Sequence, residues 1–233
     1  MNDKVDFYGH RLAEVNNTNP VIANEDIRNT EGVLLVSKGS NFSPAKAALI
    51  VKHKLIKPLE HSVDVAKSLD AKGLYDLLQN FAATIPGLKL LTDDENIQEA
   101  LKRLCKGYAK YPLIRQKLTV LANQLPEIYY HSLFCALGGT AIALQLSLNE
   151  KEQEVIFIGG LMHNTGFLHL DPKLTQCQSQ LEDDESLDTQ VHPIIARKFL
   201  DHVPKLSKDI GKAVADHHER TDGTGYPKHK FGV

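Results

Sequence analysis

The chain has 233 residues, of which 42% are hydrophobic and 24% are charged, a balance typical of a globular protein with one large or two small domains. Its formal net charge of -2 argues against recognition of DNA or of an anionic membrane surface. The cysteines Cys105, Cys135 and Cys177 are widely separated and form neither a disulfide framework nor a zinc ribbon. Together with an N-terminus that has no apolar signal segment, they lead us to expect a cytoplasmic protein.

Residues 1–62 are predicted to form a small α+β domain. The run Val33–Val36 consists of aliphatic residues between glycine-containing turns, which is typical of a short strand. Ser43 and Pro44 have the pattern of an N-cap and a first helical residue, so a helix is expected to begin there.

Residues 63–95 are predicted to form a helical linker. The pattern over residues 62–84 favours an amphipathic helix, which the TIPGL stretch at 84–88 ends. This helix offers a seam for a homodimer, although packing on its own chain is the simpler interpretation.

Residues 96–233 are predicted to be helical wherever the pattern is regular. A long helix is expected from Pro126, and its uncharged stretch 132–149 approaches the length of a membrane span. That stretch contains polar residues and glycines, so a buried core helix is favoured over a span. The acidic segment 176–190 is predicted to be exposed. The expected fold class is therefore mainly α, a helical bundle preceded by a small α+β domain.

Six residues near the ends or on the faces of four predicted helices are candidate metal ligands. Imidazole and carboxylate are the usual ligands of iron, manganese, zinc and nickel, and helical bundles build metal centres from such side chains on several helices. A lone histidine is rarely a ligand, but several in this arrangement form a joint pattern. The candidates are Glu127, His131, His163, His192, His217 and His218.

The stretch HHERTDGTGYP at residues 217–227 resembles the HHExxDGxGYP signature of the HD-GYP family, a branch of the HD-domain metal-dependent phosphohydrolases. The HS pair at His131 and the HPIIARKFL segment at His192 resemble further ligand segments of the family, with Ala196 where glycine is usual. The resemblance covers residues 96–233 and implies an HD-type helical bundle. It also implies hydrolysis of cyclic di-GMP, a bacterial second messenger, at a centre of two or three metals.

The resemblance further implies a substrate-binding role for the loop that follows the double histidine. Gly223 and Gly225 are expected to adopt positive φ in a tight turn. The ring of Tyr226 is expected either to contact the substrate or to pack at the base of the loop, and the loop is also a candidate surface for a protein partner. The substrate-binding candidates are Asp222, Gly223, Gly225, Tyr226 and Pro227.

Three departures from the family pattern concern the chemistry of the site. Asn164 stands where the family has the metal-bridging aspartate, and a neutral amide cannot supply an anionic bridge. Phe167 stands where the family has a lysine that resembles a phosphate-binding or proton-donating group. The family also has a metal-binding aspartate further downstream, so a C-terminally incomplete HD-GYP-like domain is expected. The reduced ligand set favours one bound metal over two or three.

Three hypotheses for function follow from these departures. The first is an active cyclic di-GMP phosphodiesterase with a reduced metal centre. The second is a binding or regulatory module in which the fold persists and catalysis is weak or absent. The third is an HD-like scaffold that holds no metal. The loss of the anionic bridge and of the lysine favours the second hypothesis, and no catalytic residue is assigned.

Overall fold

A computed structural model describes residues 6–176 and 187–232. The N-terminal part is a small α+β unit, as predicted, in which two antiparallel strand pairs lie beside two short helices. One pair places Val21 opposite Val65, and the other places Ile27 opposite Val36. In chain order the elements are α1 (Tyr8–Val15), β1 (Val21–Ala23), β2 (Ile27–Arg28), β3 (Leu34–Val36), α2 (Pro44–Ile50), a 3₁₀ helix (Leu59–His61) and β4 (Val63–Val65).

Local sequence signals fix the start of α2, whereas the start of the next predicted helix was wrong. Ser43 caps α2 and its side chain accepts a hydrogen bond from the Lys46 amide, as its pattern predicted. The helix expected over residues 62–84 begins only at Ala71. Residues 63–65 form β4 instead, because they alternate buried, exposed and buried, which suits a strand that covers one face of a small core.

Most of the described chain after Val65 is helical, which confirms the mainly α fold class. Helices begin beside a proline or at an N-cap, as the sequence predicted, and the acidic segment expected at 176–190 lies mostly outside the described residues. The helices are α3 (Ala71–Ala83), α4 (Pro86–Thr92), α5 (Glu95–Tyr108), α6 (Pro112–Gln124), α7 (Pro126–Gln145), α8 (Glu150–Met162), a 3₁₀ helix (Thr165–His169), α9 (Lys173–Gln176), α10 (His192–Leu200) and α11 (Lys208–Asp216).

The long helix α7 is buried on one face only. Leu133, Ala136 and Leu137 lie in the core, while Phe134 and Ile142 on the opposite side are exposed. The prediction of a core helix over residues 132–149 therefore holds for the buried face of α7 and not for its exposed face. Within residues 6–176 and 187–232, no helix combines the length and the apolarity that crossing a bilayer requires.

Close packing of α7 against α8 depends on Gly160. A Cβ atom on Gly160 would lie 2.8 Å from the backbone nitrogen of Ala136 and 2.9 Å from its Cα atom. The backbone of a packed helix cannot yield as a flexible side chain can, so any larger residue would push the two helices apart. This contact positions the site, because Gly160 lies one turn before His163 and Ala136 follows Cys135.

Substitution of Gly160 by alanine is expected to destabilise the protein by about 2 to 3 kcal/mol, the cost of overpacking a core contact. Gly138→Ala in α7 is the matched control, because a Cβ atom there meets nothing within 4 Å. The control should be stabilised by about 0.5 to 1 kcal/mol through helix propensity. Urea denaturation measures both, and equal stabilities of the two variants would contradict this account.

Candidate metal centre

Five histidines converge from four helices at one end of the bundle. His131 lies in the first half of α7, His163 is the C-cap of α8, and His192 opens α10. His217 is the C-cap of α11, and His218 follows it. His163, His192 and the double histidine therefore lie at helix ends, as predicted.

The ligand atoms form two adjoining groups of three. His131 groups with Cys135 and His163, while His192 groups with His217 and His218. Within each group, one ligand atom from each residue lies within 4.8 Å of those of the other two. The rings of His163 and His217 lie 4.9 Å apart, so the two groups meet there.

The spacing within the second group suits a common metal ion. The Nε2 atoms of His192 and His217 are 3.3 Å apart. Two imidazole nitrogens at about 2.0 to 2.1 Å from a tetrahedral ion lie about 3.3 Å from each other. The observed separation therefore matches the edge of a coordination tetrahedron.

Backbone carbonyls orient three of the rings with Nε2 free for a ligand bond. The Nδ1 atom of His163 lies 2.9 Å from the Gly160 carbonyl oxygen, and the Nδ1 atom of His192 lies 2.8 Å from the Thr189 carbonyl oxygen. The Nδ1 atom of His217 lies 2.7 Å from the Val214 oxygen. A carbonyl oxygen only accepts, so each Nδ1 carries the proton and each Nε2 keeps its lone pair.

The environment also keeps these imidazoles neutral. Burial and the neighbouring histidines lower the pKa of His163 to about 4 and the pKa of His218 to about 4. Burial, with the adjacent imidazoles, lowers the pKa of His192 to about 3. Neutral imidazole is the form that binds a metal, so the site is ready for one at pH 7.

A cavity of about 450 Å³ opens beside the first group. His131, Cys135 and His163 line it together with Asn164, and Val155 contributes to an apolar wall. This volume lies in the range of small-molecule pockets, about 300 to 1,000 Å³. The cavity can therefore admit a ligand to the histidines.

Two sequence-predicted positions contribute no carboxylate to the site. Glu127 lies one turn before His131 in α7, but it is exposed and belongs to neither group. Asn164 is 8% exposed and lines the cavity beside His163, so an amide does occupy the place that the resemblance gives to the aspartate. In the described part of the chain, both groups consist of histidine and cysteine alone.

Phe167 supports His192 and does not face the cavity. It is 5% exposed, and its ring stacks on the His192 ring at 4.1 Å with an angle of 20° between the planes. Gly166 allows this approach, since a Cβ atom there would lie 2.0 Å from the His192 carbonyl oxygen. A packing role has therefore replaced whatever the family lysine does at this position.

The loop after the double histidine folds back onto His218. Gly223 has a φ of +75°, as expected, whereas the expectation of positive φ at Gly225 was wrong. Gly225 is required for a different reason, because a Cβ atom there would lie 2.4 Å from the His218 carbonyl oxygen. The Tyr226 ring stacks on the His218 ring at 4.4 Å between ring centres. This contact is of the packing kind, one of the two roles expected for Tyr226.

Two carboxylates that the sequence interpretation passed over fasten this loop. The Glu219 carboxylate accepts hydrogen bonds from the amides of Lys228 at 2.7 Å and Lys230 at 2.9 Å. Asp216 forms ion pairs with the side chains of the same two lysines. The remaining predicted loop positions are peripheral: Asp222 is exposed and accepts from the Thr224 amide, and Pro227 is half-buried.

Cys135 was also missed, although a signal for it existed. It follows His131 by four residues on α7, the same spacing that singled out Glu127 on the other side of His131. The structure brings Cys135 and not Glu127 to the histidines, because the cavity lies beside the turn of α7 that follows His131 and not beside the turn that precedes it. Burial raises the pKa of the Cys135 thiol.

Comparison with known proteins agrees with this geometry. The profile of a family described as HD domain matches residues 111–233. A 3'3'-cGAMP-specific phosphodiesterase of Vibrio cholerae is 33% identical over 37% of the chain and 20% of its own length. A cyclic di-GMP phosphodiesterase of Borreliella burgdorferi is 31% identical over 42% of the chain and 26% of its own length.

A third relative extends the similarity into the N-terminal part. This cyclic di-GMP phosphodiesterase of Pseudomonas aeruginosa is 26% identical over 86% of the chain and 45% of its own length. The chain thus spans less than half the length of each of these three relatives. The chain belongs to the HD domain family, in its HD-GYP-like phosphodiesterase branch.

Proposed function

We propose that the chain is a metal-binding module of cyclic dinucleotide signalling that recognises cyclic di-GMP or a related nucleotide and hydrolyses it weakly or not at all. The names of its relatives support the nucleotide class. The cavity beside the preoriented histidines supports a site where a metal and a phosphate group could meet. The loop from Asp222 to Pro227 would flank the bound nucleotide.

The observation that carries the proposal is Asn164. Two cations held close together repel each other strongly in a partly buried site, and a bridging carboxylate offsets that repulsion. The amide of Asn164 is neutral, and neither ligand group contains a carboxylate, so we infer one bound divalent ion rather than two or three. Iron, manganese, zinc and nickel all suit such ligands.

When bound, a metal ion would polarise a phosphate and lower the pKa of a coordinated water. The chain's own residues orient the ligand atoms and form the walls of the cavity. His163, His192 and His217 present unprotonated Nε2 atoms, and Val155 and Val214 contribute apolar surface to the wall of the cavity. Phe167 offers no donor for a phosphate oxygen or a leaving group. These features therefore support binding of a nucleotide more than its hydrolysis.

An active phosphodiesterase with a reduced metal centre is the second candidate, and the intact HHERTDGTGYP loop packed on His218 favours it. A metal-free scaffold is the third, and the shared orientation of three Nε2 atoms argues against it, because packing alone does not require that tautomer.

Parallel metal analysis, nucleotide binding and hydrolysis separate the three candidates. Protein purified without chelator should contain close to one transition metal per chain and should bind cyclic di-GMP in calorimetry. With added Mn²⁺ or Fe²⁺, hydrolysis should not exceed that of the His163→Ala variant. Turnover clearly above that control would establish the enzyme, and repeated preparations without metal or nucleotide binding would leave the scaffold.

A further inference from the structure

The group of His131, Cys135 and His163 contains a ligand type that neither the resemblance nor the relatives' names predict. Cys135 lies one turn after His131 on α7, and its side chain lines the cavity. Its Sγ atom is 3.5 Å from the Nε2 atom of His131. One ligand atom from each of the three residues, His163 included, lies within 4.8 Å of the other two.

These separations match the coordination shell of one ion. A tetrahedral zinc ion binds sulfur at about 2.3 Å and imidazole nitrogen at about 2.0 to 2.1 Å, which places the two ligand atoms about 3.5 Å apart. The observed separation of Cys135 Sγ and His131 Nε2 is 3.5 Å. A carbonyl already holds His163 with its Nε2 lone pair free.

The Cys135 thiol is important because it can supply a negative charge to the site. Within residues 6–176 and 187–232, the two groups offer five imidazole ligands, one from each histidine, and one sulfur ligand, that of Cys135. Only the sulfur becomes an anion when it binds a metal, and it then releases its proton to solvent. A thiolate is also a soft ligand, which favours zinc over manganese or magnesium.

We propose that His131, Cys135 and His163 form a zinc site in which the Cys135 thiolate takes over the anionic role of the missing carboxylate. The three protein ligands leave the fourth position open toward the cavity, where a water molecule or a phosphate oxygen can bind. This inference rests on the proposed metal-binding function of the same site and adds the identity of one ligand and of the preferred ion.

Cobalt substitution provides a direct test, because a thiolate bound to Co²⁺ gives a charge-transfer absorption in the near ultraviolet that nitrogen and oxygen ligands do not give. The wild-type protein loaded with Co²⁺ should show this band, and Cys135→Ser should lose it. Cys105→Ala, in the buried core of α5, and Cys177→Ser, outside the described residues, are matched controls that should keep it.

Metal affinity provides the second readout. Competition with a chelator should show that Cys135→Ser weakens zinc binding by at least about 100-fold, since loss of a group that only orients a ligand already costs about 10- to 100-fold. Manganese binding should change less than zinc binding. Circular dichroism and the melting temperature of the metal-free variant establish that it folds.

The outcomes distinguish this inference from the proposed function. Stoichiometric Co²⁺ binding without the charge-transfer band would overturn the thiolate ligand and leave the metal-binding module intact. Loss of the band in Cys177→Ser or Cys105→Ala, but not in Cys135→Ser, would overturn it as well. Absence of any bound Co²⁺ or Zn²⁺ would overturn both proposals together.

Discussion

Replacement of Lys117 by methionine is expected to destabilise the protein by about 3 to 5 kcal/mol, the cost of leaving one partner of a buried ion pair without its counter-charge. Lys117 is 1% exposed, and its Nζ atom lies 3.0 Å from the carboxylate of Glu60. The same nitrogen lies 2.7 Å from Nε2 of His169 and 3.6 Å from the centre of the Tyr8 ring. Methionine keeps much of the volume, so the loss is mainly electrostatic.

Most of this loss of stability would arise at the Glu60 carboxylate. Its burial alone would raise its pKa, but Lys117 and His169 outweigh that effect and the pKa lies below its ordinary value. Without the ammonium group, the carboxylate would either stay charged in an apolar setting or take up a proton. Both responses cost free energy that the unfolded chain does not pay.

A double substitution and an exposed pair provide the controls. Adding Glu60→Gln to Lys117→Met should recover at least half of the loss, because no unpaired charge then remains. Lys72→Met removes an exposed pair with Asp76 and should change stability by less than about 1 kcal/mol. Urea denaturation of the four proteins measures these values. A cost for Lys117→Met no larger than that for Lys72→Met would show that the buried pair contributes nothing specific.

This ion pair also joins the N-terminal unit to segments that adjoin the candidate metal centre. Glu60 belongs to the 3₁₀ helix Leu59–His61, and His169 ends the 3₁₀ helix that begins just after Asn164. Lys117 Nζ lies 4.6 Å from the centre of the ring of Phe199 in α10, the helix that His192 opens. One buried charge therefore links the N-terminal unit to the 3₁₀ helix that follows Asn164 and to the C-terminal turn of α10.

Local rules predicted most helices because each start is determined by a few neighbouring residues. Proline at the first turn of α7 and the cap at Ser43 act within one turn, so sequence alone reveals them. The strand Val63–Val65 was mistaken for helix, because three residues carry too little pattern and their pairing with β1 spans about forty intervening residues. The same holds for Lys117, whose partner Glu60 is distant in sequence.

The candidate site was predictable to the extent that it follows a motif. The motif predicted that His163, His192 and the double histidine lie at helix ends, and the structure has them there together with His131 of α7. Glu127 and Cys135 share a face of α7 with His131, and which of the two turns lies beside the cavity depends on tertiary packing, so Glu127 was chosen and Cys135 was not. The role of Gly225 likewise depends on the approach of a second segment, which a turn rule does not contain.

Replacement of Asn164 by aspartate is expected to raise the affinity for Mn²⁺ or Fe²⁺ by at least about 10- to 100-fold, because a carboxylate would then stand beside His163 at the edge of the cavity. The two side chains have almost the same shape, so packing should be unchanged. Without metal, however, the variant holds a partly buried carboxylate with no cation. Its melting temperature should fall below that of the wild type when chelator is present and rise above it at saturating metal.

Asn149→Asp is the matched control for this variant. Asn149 caps the other end of α8, where aspartate is an equally good cap, so neither metal affinity nor the metal-dependent gain in melting temperature should change. Phe167→Lys should not act like Asn164→Asp, because it would bury a cation against His192 and remove the stacked ring. Calorimetric titration with Mn²⁺ measures the affinities. If Asn164→Asp binds metal no more tightly than the wild type, the absent carboxylate is not what limits the centre, and weak hydrolysis would need another physical cause.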